Sequence, residues 1–190
     1  MIDDTKIRDY IISPNLSGED LTQEVSGVDQ LGNRTDISVI EERPLTIFLN
    51  NQEIVTAMTI GDYPEYLALG FLRNQKMLSN KDKVDAIDFD AELNSIVIRT
   101  KRKTNYEDKL KKKTQTSGCA VGTVFGDIMD GVDDLKISAI STKVSHLYSL
   151  SSKINRTPSL YLKAGAIHGT ILCHQDKPLV LSLIHISEPT

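Results

Sequence analysis

The stretch Leu45–Met58, L-T-I-F-L-N-N-Q-E-I-V-T-A-M, constrains the fold of this chain more than any other. Leu45–Leu49 and Glu53–Met58 are apolar-rich runs of strand length, and Asn50-Asn51 between them supplies the residue type that tolerates a hairpin turn. A third such run, Ile37–Ile40, lies upstream of Glu41–Pro44. Two or three antiparallel strands fit this spacing.

The remainder alternates between helical and strand patterns. Asp62-Tyr63-Pro64-Glu65 has the form of a capping box with proline in the first turn. Tyr63, Tyr66, Leu67, Gly70, Phe71 and Met77 then trace one helical face to about Leu78, with the aromatic residues expected in the core. Val84–Phe89 and Ser95–Thr100 read as a second hairpin around Glu92–Asn94, with Ile96 and Ile98 on one side. Leu135–Ile140 reads as a short strand or loop. A helix is expected from a Ser141 cap to Asn155, burying Val144, Leu147, Tyr148 and Ile154 and stopped by Thr157-Pro158. Leu160–Leu162 and Ala166–Cys173 read as strands, with His174–Lys177 turning the chain toward Leu179-Val180.

Between the second hairpin and that helix lies the chemically suggestive part, Lys109–Leu135. Cys119 sits between Gly118 and Gly122, after a basic run and before Val121, Val124, Phe125, Ile128, Val132 and Leu135, which recur at helical spacing. Thr123 fits an N-cap and Gly131 an early end. A thiol at the mouth of such a helix meets unpaired N–H groups and the positive dipole end, which favour the reactive thiolate. Cys119 read as a small buried hydrophobe in a Gly-rich turn stands beside that reading. Arg99–Lys113 holds eight Lys or Arg residues against Glu107 and Asp108, a local basic patch in a chain of net charge −4. It is either solvated surface or a site for an anionic ligand.

The net charge speaks against general nucleic-acid binding, and no run is apolar enough to cross a bilayer. Two cysteines, Cys119 and Cys173, make no disulfide framework, and the chain reads as cytoplasmic. Residues 1–35 are polar and aperiodic and read as a loosely ordered lead-in with at most one short element. Residues 181–190, L-S-L-I-H-I-S-E-P-T, match the in-frame translation of a common transposase sequencing adapter. They are expected to be an assembly scar, with natural sequence continuing past Val180.

Four runs in order, E-R-P-L-T-I-F-L-N-N-Q-E-I, E-Y-L-A-L-G-F-L-R, T-S-G-C-A-V-G-T and A-G-A-I-H-G-T-I-L, resemble the FdhD family of formate dehydrogenase accessory sulfurtransferases. The similarity spans about Glu42 to Val180, so residues 36–180 are expected to be one FdhD-like domain, incomplete at its C-terminus. The resemblance implies an α/β (α+β) fold, a mixed sheet flanked by helices, cytidine-deaminase-like, with a β-rich N-terminal part. It implies a sulfur carrier that receives persulfide sulfur from a cysteine desulfurase. The acceptor would be the molybdenum (or tungsten) bis-pterin guanine dinucleotide cofactor of formate dehydrogenase, as substrate and not as prosthetic group. Cys119 then matches the persulfide cysteine and His168 the histidine of a G-G-x-H-like motif. Gly118 and Gly122 give the loop its freedom, and Lys111, Lys112 and Lys113 would attract the pyrophosphate and favour thiolate. The implied partners are the desulfurase, formate dehydrogenase and the molybdenum cofactor, with a homodimer as one assembly and neither nucleic acid nor membrane.

Two departures stand out. Gly122 occupies the place of a second cysteine found in many members, which leaves a single-cysteine relay. The family's later E-D-V-G-R-H-N-like motif is absent from this chain. Zinc deaminase chemistry needs His-x-Glu and Pro-Cys-x-x-Cys, whereas Thr170 lies two residues after His168, so no zinc site is expected. A non-catalytic chaperone that binds and shields the cofactor is the alternative to a relay.

Overall fold

A computed structural model describes residues 21–79, 81–101, 113–115, 123–125, 141–156, 160–165, 167 and 169–183. The chain divides into two units, Met1–Glu41 with Ser138–His185, and Glu42–Ile137 with Ile186–Thr190.

The second unit is built on the expected hairpins. Strands β3 (Arg43–Leu49) and β4 (Gln52–Thr59) are antiparallel, as are β5 (Val84–Asp90) and β6 (Ser95–Thr100). Asn50 takes the left-handed conformation at φ 56°, which asparagine tolerates better than most residues. The two hairpins join through parallel pairing of β3 with β6, giving the order β4-β3-β6-β5. Alternation along β3 buries Leu45, Ile47 and Leu49 on one face, and the parallel register sets Ile47 beside Ile96 and Leu49 beside Ile98. A register shift beside Ile54 lets both Ile54 and Val55 join that core.

Helix α1 (Pro64–Asn74) packs on β6 and β5 through Ala68 and Leu72, both fully buried. Leu67 and Phe71 pack against the core and Met77 is buried in it, as expected, but the two tyrosines are not. Tyr63, not Asp62, is the N-cap, left-handed at φ 49° and without a side-chain cap bond, so the capping box does not form. Tyr63 and Tyr66 are exposed and stack on each other at 5.6 Å. Tyr66 lies two residues, some 200° of helix, from Ala68, so the face that buries Ala68 turns Tyr66 outward. Met77 and Leu78 reach the core after the helix has ended. Lys76 turns left-handed at φ 54°, Met77 N donates to Leu72 O at 2.9 Å, and the chain folds back onto the sheet.

In the first unit, β1 (Thr22–Val28) and β2 (Arg34–Ile40) form an antiparallel hairpin, with Val25 opposite Ile37. The lead-in boundary expected at residue 35 therefore falls inside β2, and β1 is the short element before it. The turn is tied by Asp29, whose Oδ1 accepts from Leu31 N at 2.8 Å and Asn33 N at 2.9 Å. These bonds hold the Asp29 carboxyl below its ordinary value of 3.8.

Helix α2 (Val144–Arg156) covers the expected span but not the expected burial. Val144, Leu147 and Tyr148 are exposed, and Ile154 is half-buried. Amphipathic spacing shows which residues share a face, not whether a partner covers it. Helix α3 (Leu160–Ala164) replaces the strand expected at Leu160–Leu162; a short apolar run fits either element, and Leu, Lys and Ala favour helix. It packs on β2, with Leu160 buried and Lys163 Nζ donating to Thr22 Oγ1 at 3.2 Å. Strands β9 (Gly169–His174) and β10 (Lys177–Leu183) form a final hairpin, turned by Gln175 at φ 55°. β10 continues through residues 181–183, past the boundary expected at Val180.

Candidate functional site

The path to the candidate cysteine starts at the end of β6. Asn50 ties β3 to this strand end: Asn50 N donates to Ile98 O at 2.8 Å, and Asn50 Oδ1 accepts from Thr100 N at 2.9 Å. Asn50 Nδ2 donates to Thr100 Oγ1 at 3.1 Å. The outer face of β6 carries the first members of the basic run. Arg99 Nε lies 2.8 Å from Asp88 Oδ2, and Lys101 Nζ lies 3.4 Å from Asp85 Oδ1. These two cations are matched by carboxylates on the neighbouring strand.

Two short strands then bracket the cysteine. β7 (Lys113–Gln115) pairs antiparallel with β8 (Thr123–Phe125): Lys113 opposite Phe125, Thr114 opposite Val124, and Gln115 opposite Thr123. Among the described residues neither strand pairs with another. Cys119 is the middle residue of the segment 116–122 that this stem closes.

This pairing overturns one expectation. Thr123 is not an N-cap, because Thr123–Phe125 is strand where a helix was expected to begin. Thr, Val and Phe are β-branched or aromatic, and a paired partner decides against the helical period they also satisfy. A helix dipole starting at Thr123 therefore drops out of the argument for a thiolate at Cys119. The stem is also what sequence reading missed. Its signal was one-sided: Thr123–Phe125 is β-forming throughout, whereas Lys113–Gln115 offers only Thr114.

Of the candidate residues, Lys113 opens β7. Cys119, Gly118, Gly122, Lys111, Lys112 and His168 lie outside the described residues. Cys173 sits in β9 opposite Pro178, half-buried, with Sγ 3.8 Å from Ile171 O. His146 and His174 are half-buried. Asp176, in the turn after His174, accepts from Lys153 Nζ at 3.0 Å, which with the cation's charge lowers its carboxyl pKa. Among the described residues no group of three or more His, Cys, Asp or Glu side chains is placed to hold a metal ion, and no helix is long and apolar enough to cross a membrane.

Residues 40–184 match the sequence model of a family described as FdhD/NarQ. Among curated relatives, "Sulfur carrier protein FdhD" of Listeria innocua is 22% identical over 140 residues, covering 72% of this chain and 54% of the relative. The protein of the same name from Bacillus subtilis is 24% identical over 154 residues, covering 77% and 58%. The chain thus spans about half the length of the curated relatives it matches. A solved structure described as a formate dehydrogenase accessory protein, from Desulfotalea psychrophila, superposes with a TM-score of 0.57 at 15% identity. It covers 86% of this chain and 61% of that one, a likeness of fold.

Proposed function

This chain belongs to the FdhD/NarQ family, and from that membership we propose that it is a sulfur carrier for formate dehydrogenase maturation, with Cys119 as the carrying residue. The observation that supports the assignment is the β7–β8 stem, which brackets the Gly-flanked cysteine directly after the basic run of the sequence.

The chemistry follows from thiol exchange. The Cys119 thiolate attacks the terminal sulfur of a persulfide on a cysteine desulfurase. The donor's S–S bond breaks, the donor leaves as a thiolate, and a new S–S bond forms on Cys119. No external oxidant is consumed, because one persulfide replaces another. The acceptor substrate is the molybdenum (or tungsten) bis-pterin guanine dinucleotide. Delivering the terminal sulfur as sulfide takes two electrons, supplied by the reduced metal of that substrate or by a thiol reductant, and regenerates the Cys119 thiol. Gly122 in place of a second cysteine removes the route that would discharge the persulfide as an internal disulfide. His168 is assigned to a hydrogen bond with the acceptor or the transferred sulfur.

Lys111, Lys112 and Lys113 are assigned two tasks, stabilising the thiolate and attracting the acceptor's pyrophosphate. Changing all three to serine is expected to slow Cys119 alkylation at neutral pH by about threefold, through a raised thiol pKa. An unchanged rate contradicts the first task.

The reading is tested in a host lacking its own carrier, by formate dehydrogenase activity. Cys119→Ser is expected to lower activity by about a hundredfold or more, since a hydroxyl cannot hold sulfane sulfur, while Cys173→Ser stays within about twofold of wild type. Full activity in Cys119→Ser would favour a chaperone that shields the cofactor without carrying sulfur.

A further inference from the structure

We propose that the outer edge of β2 pairs with the same edge of a second copy of this chain, antiparallel about a two-fold axis at Ile37. Two hairpins then become one four-stranded sheet.

The β1–β2 ladder runs through seven opposed pairs, from Thr22–Ile40 to Val28–Arg34, with no register shift. Among the described residues no third strand joins it. A two-stranded ribbon is marginal until another strand or a packed face supports it. Sheet edges are ordinarily blunted by bulges, proline or lysine. Both outer pairings of the four-stranded sheet carry a register shift, and β10 carries one together with Lys177 and Pro178. β2, R-T-D-I-S-V-I, has none of these devices.

The two ends of the ladder fix which backbone groups face outward. Asp29 N donates to Asn33 O at 2.9 Å, and Glu41 N donates to Leu21 O at 3.2 Å. Bonded and non-bonded pairs alternate between these ends, so Val25–Ile37 is a bonded pair. Arg34, Asp36, Ser38 and Ile40 therefore direct N–H and C=O away from β1. Ile37 is the midpoint of the strand, so an axis there engages the whole of β2. Asp36 then faces Ser38 of the second copy, and Arg34 faces its Ile40. An axis at Asp36 would instead oppose two carboxylates, which is destabilising. Val25 and Ile37 share one face and are 40% and 52% exposed. With the same pair of the second copy they form an apolar stripe across all four strands. Self-pairing of β1 would place Gly27 in the new ladder, which weakens it.

Sedimentation velocity of the full chain is expected to show a monomer–dimer equilibrium. Ile37→Lys, which opposes two ammonium groups at the axis, should weaken it about tenfold or more. Amides of Asp36 and Ser38 should be protected from hydrogen exchange at high chain concentration and lose that protection on dilution, while those of Val25 and Ile37 stay protected. In Ile37→Cys the opposed Cα atoms, about 4.5 Å apart, lie within disulfide reach. Mild oxidation should trap a dimer linked through residue 37, read by mass spectrometry of the linked peptide. Val25→Cys, some 14 Å from its copy across three strand spacings, should not link. A chain that sediments as a monomer at every concentration overturns the proposal, as does a dimer that Ile37→Lys leaves intact or Ile37→Cys fails to trap. Protection of Asp36 and Ser38 that ignores dilution also overturns it, by showing the edge covered within the chain.

Discussion

At the scale of single residues, Asn50 shows how one side chain serves both turn and sheet. Its left-handed backbone turns β3 into β4, and its amide extends the β3–β6 pairing to Thr100. Asn50→Ala loses two side-chain bonds and places a Cβ residue in the left-handed region, so unfolding in urea should show a loss of about 2–3 kcal/mol. Asn50→Gly relieves the backbone and should lose about 1 kcal/mol less. Equal losses would mean that backbone strain plays no part. The Asn-Asn turn was legible in the sequence, but the amide's reach to Thr100, fifty residues on, was not, because nothing local encodes a partner so distant. Cys119 is the opposite case. Its flanking glycines and lysines are plain in the sequence, while what closes the segment around it became visible only through β7–β8 pairing.

At the scale of elements, the strands with one buried face were readable from alternation, as in Leu45, Ile47 and Leu49. Short runs were not. Thr123–Phe125 and Leu160–Ala164 fit either period, and pairing or packing chose strand for the first and helix for the second. The β1–β2 hairpin was hidden for another reason: Thr22–Val28 is mostly exposed and polar, so its strand character comes from pairing and from the Asp29 turn. That turn gives a pH dependence. Asp29 has its folded pKa lowered from 3.8, so its contribution is fully present above 3.8 and is lost as pH falls through the lower folded value. Protection factors at Leu31 and Asn33, taken against intrinsic exchange at each pH, should fall below pH 3.8 and hold steady above it, while Asp29→Asn, which keeps the acceptor oxygen, should flatten the acid response. Loss of protection already at pH 5 to 6 would assign the effect to another group.

At the scale of the whole molecule, the mixed α/β class and the family were both legible, the first from alternating hairpin and helix patterns and the second from four ordered runs of residues. Which helix faces find a cover was not legible, as the exposed Val144, Leu147 and Tyr148 show. The proposed carrier function joins these scales: paired strands flank the Cys119 segment, a basic run precedes it, and in the proposal the thiol accepts sulfur from one protein and yields it to another. The most direct test is mass spectrometry of the chain after incubation with a cysteine desulfurase and cysteine, without added reductant. The account predicts a gain of about 32 Da, one sulfur atom, on the peptide containing Cys119 and none on the peptide containing Cys173. An unmodified Cys119 beside a desulfurase proven to hold persulfide would contradict it.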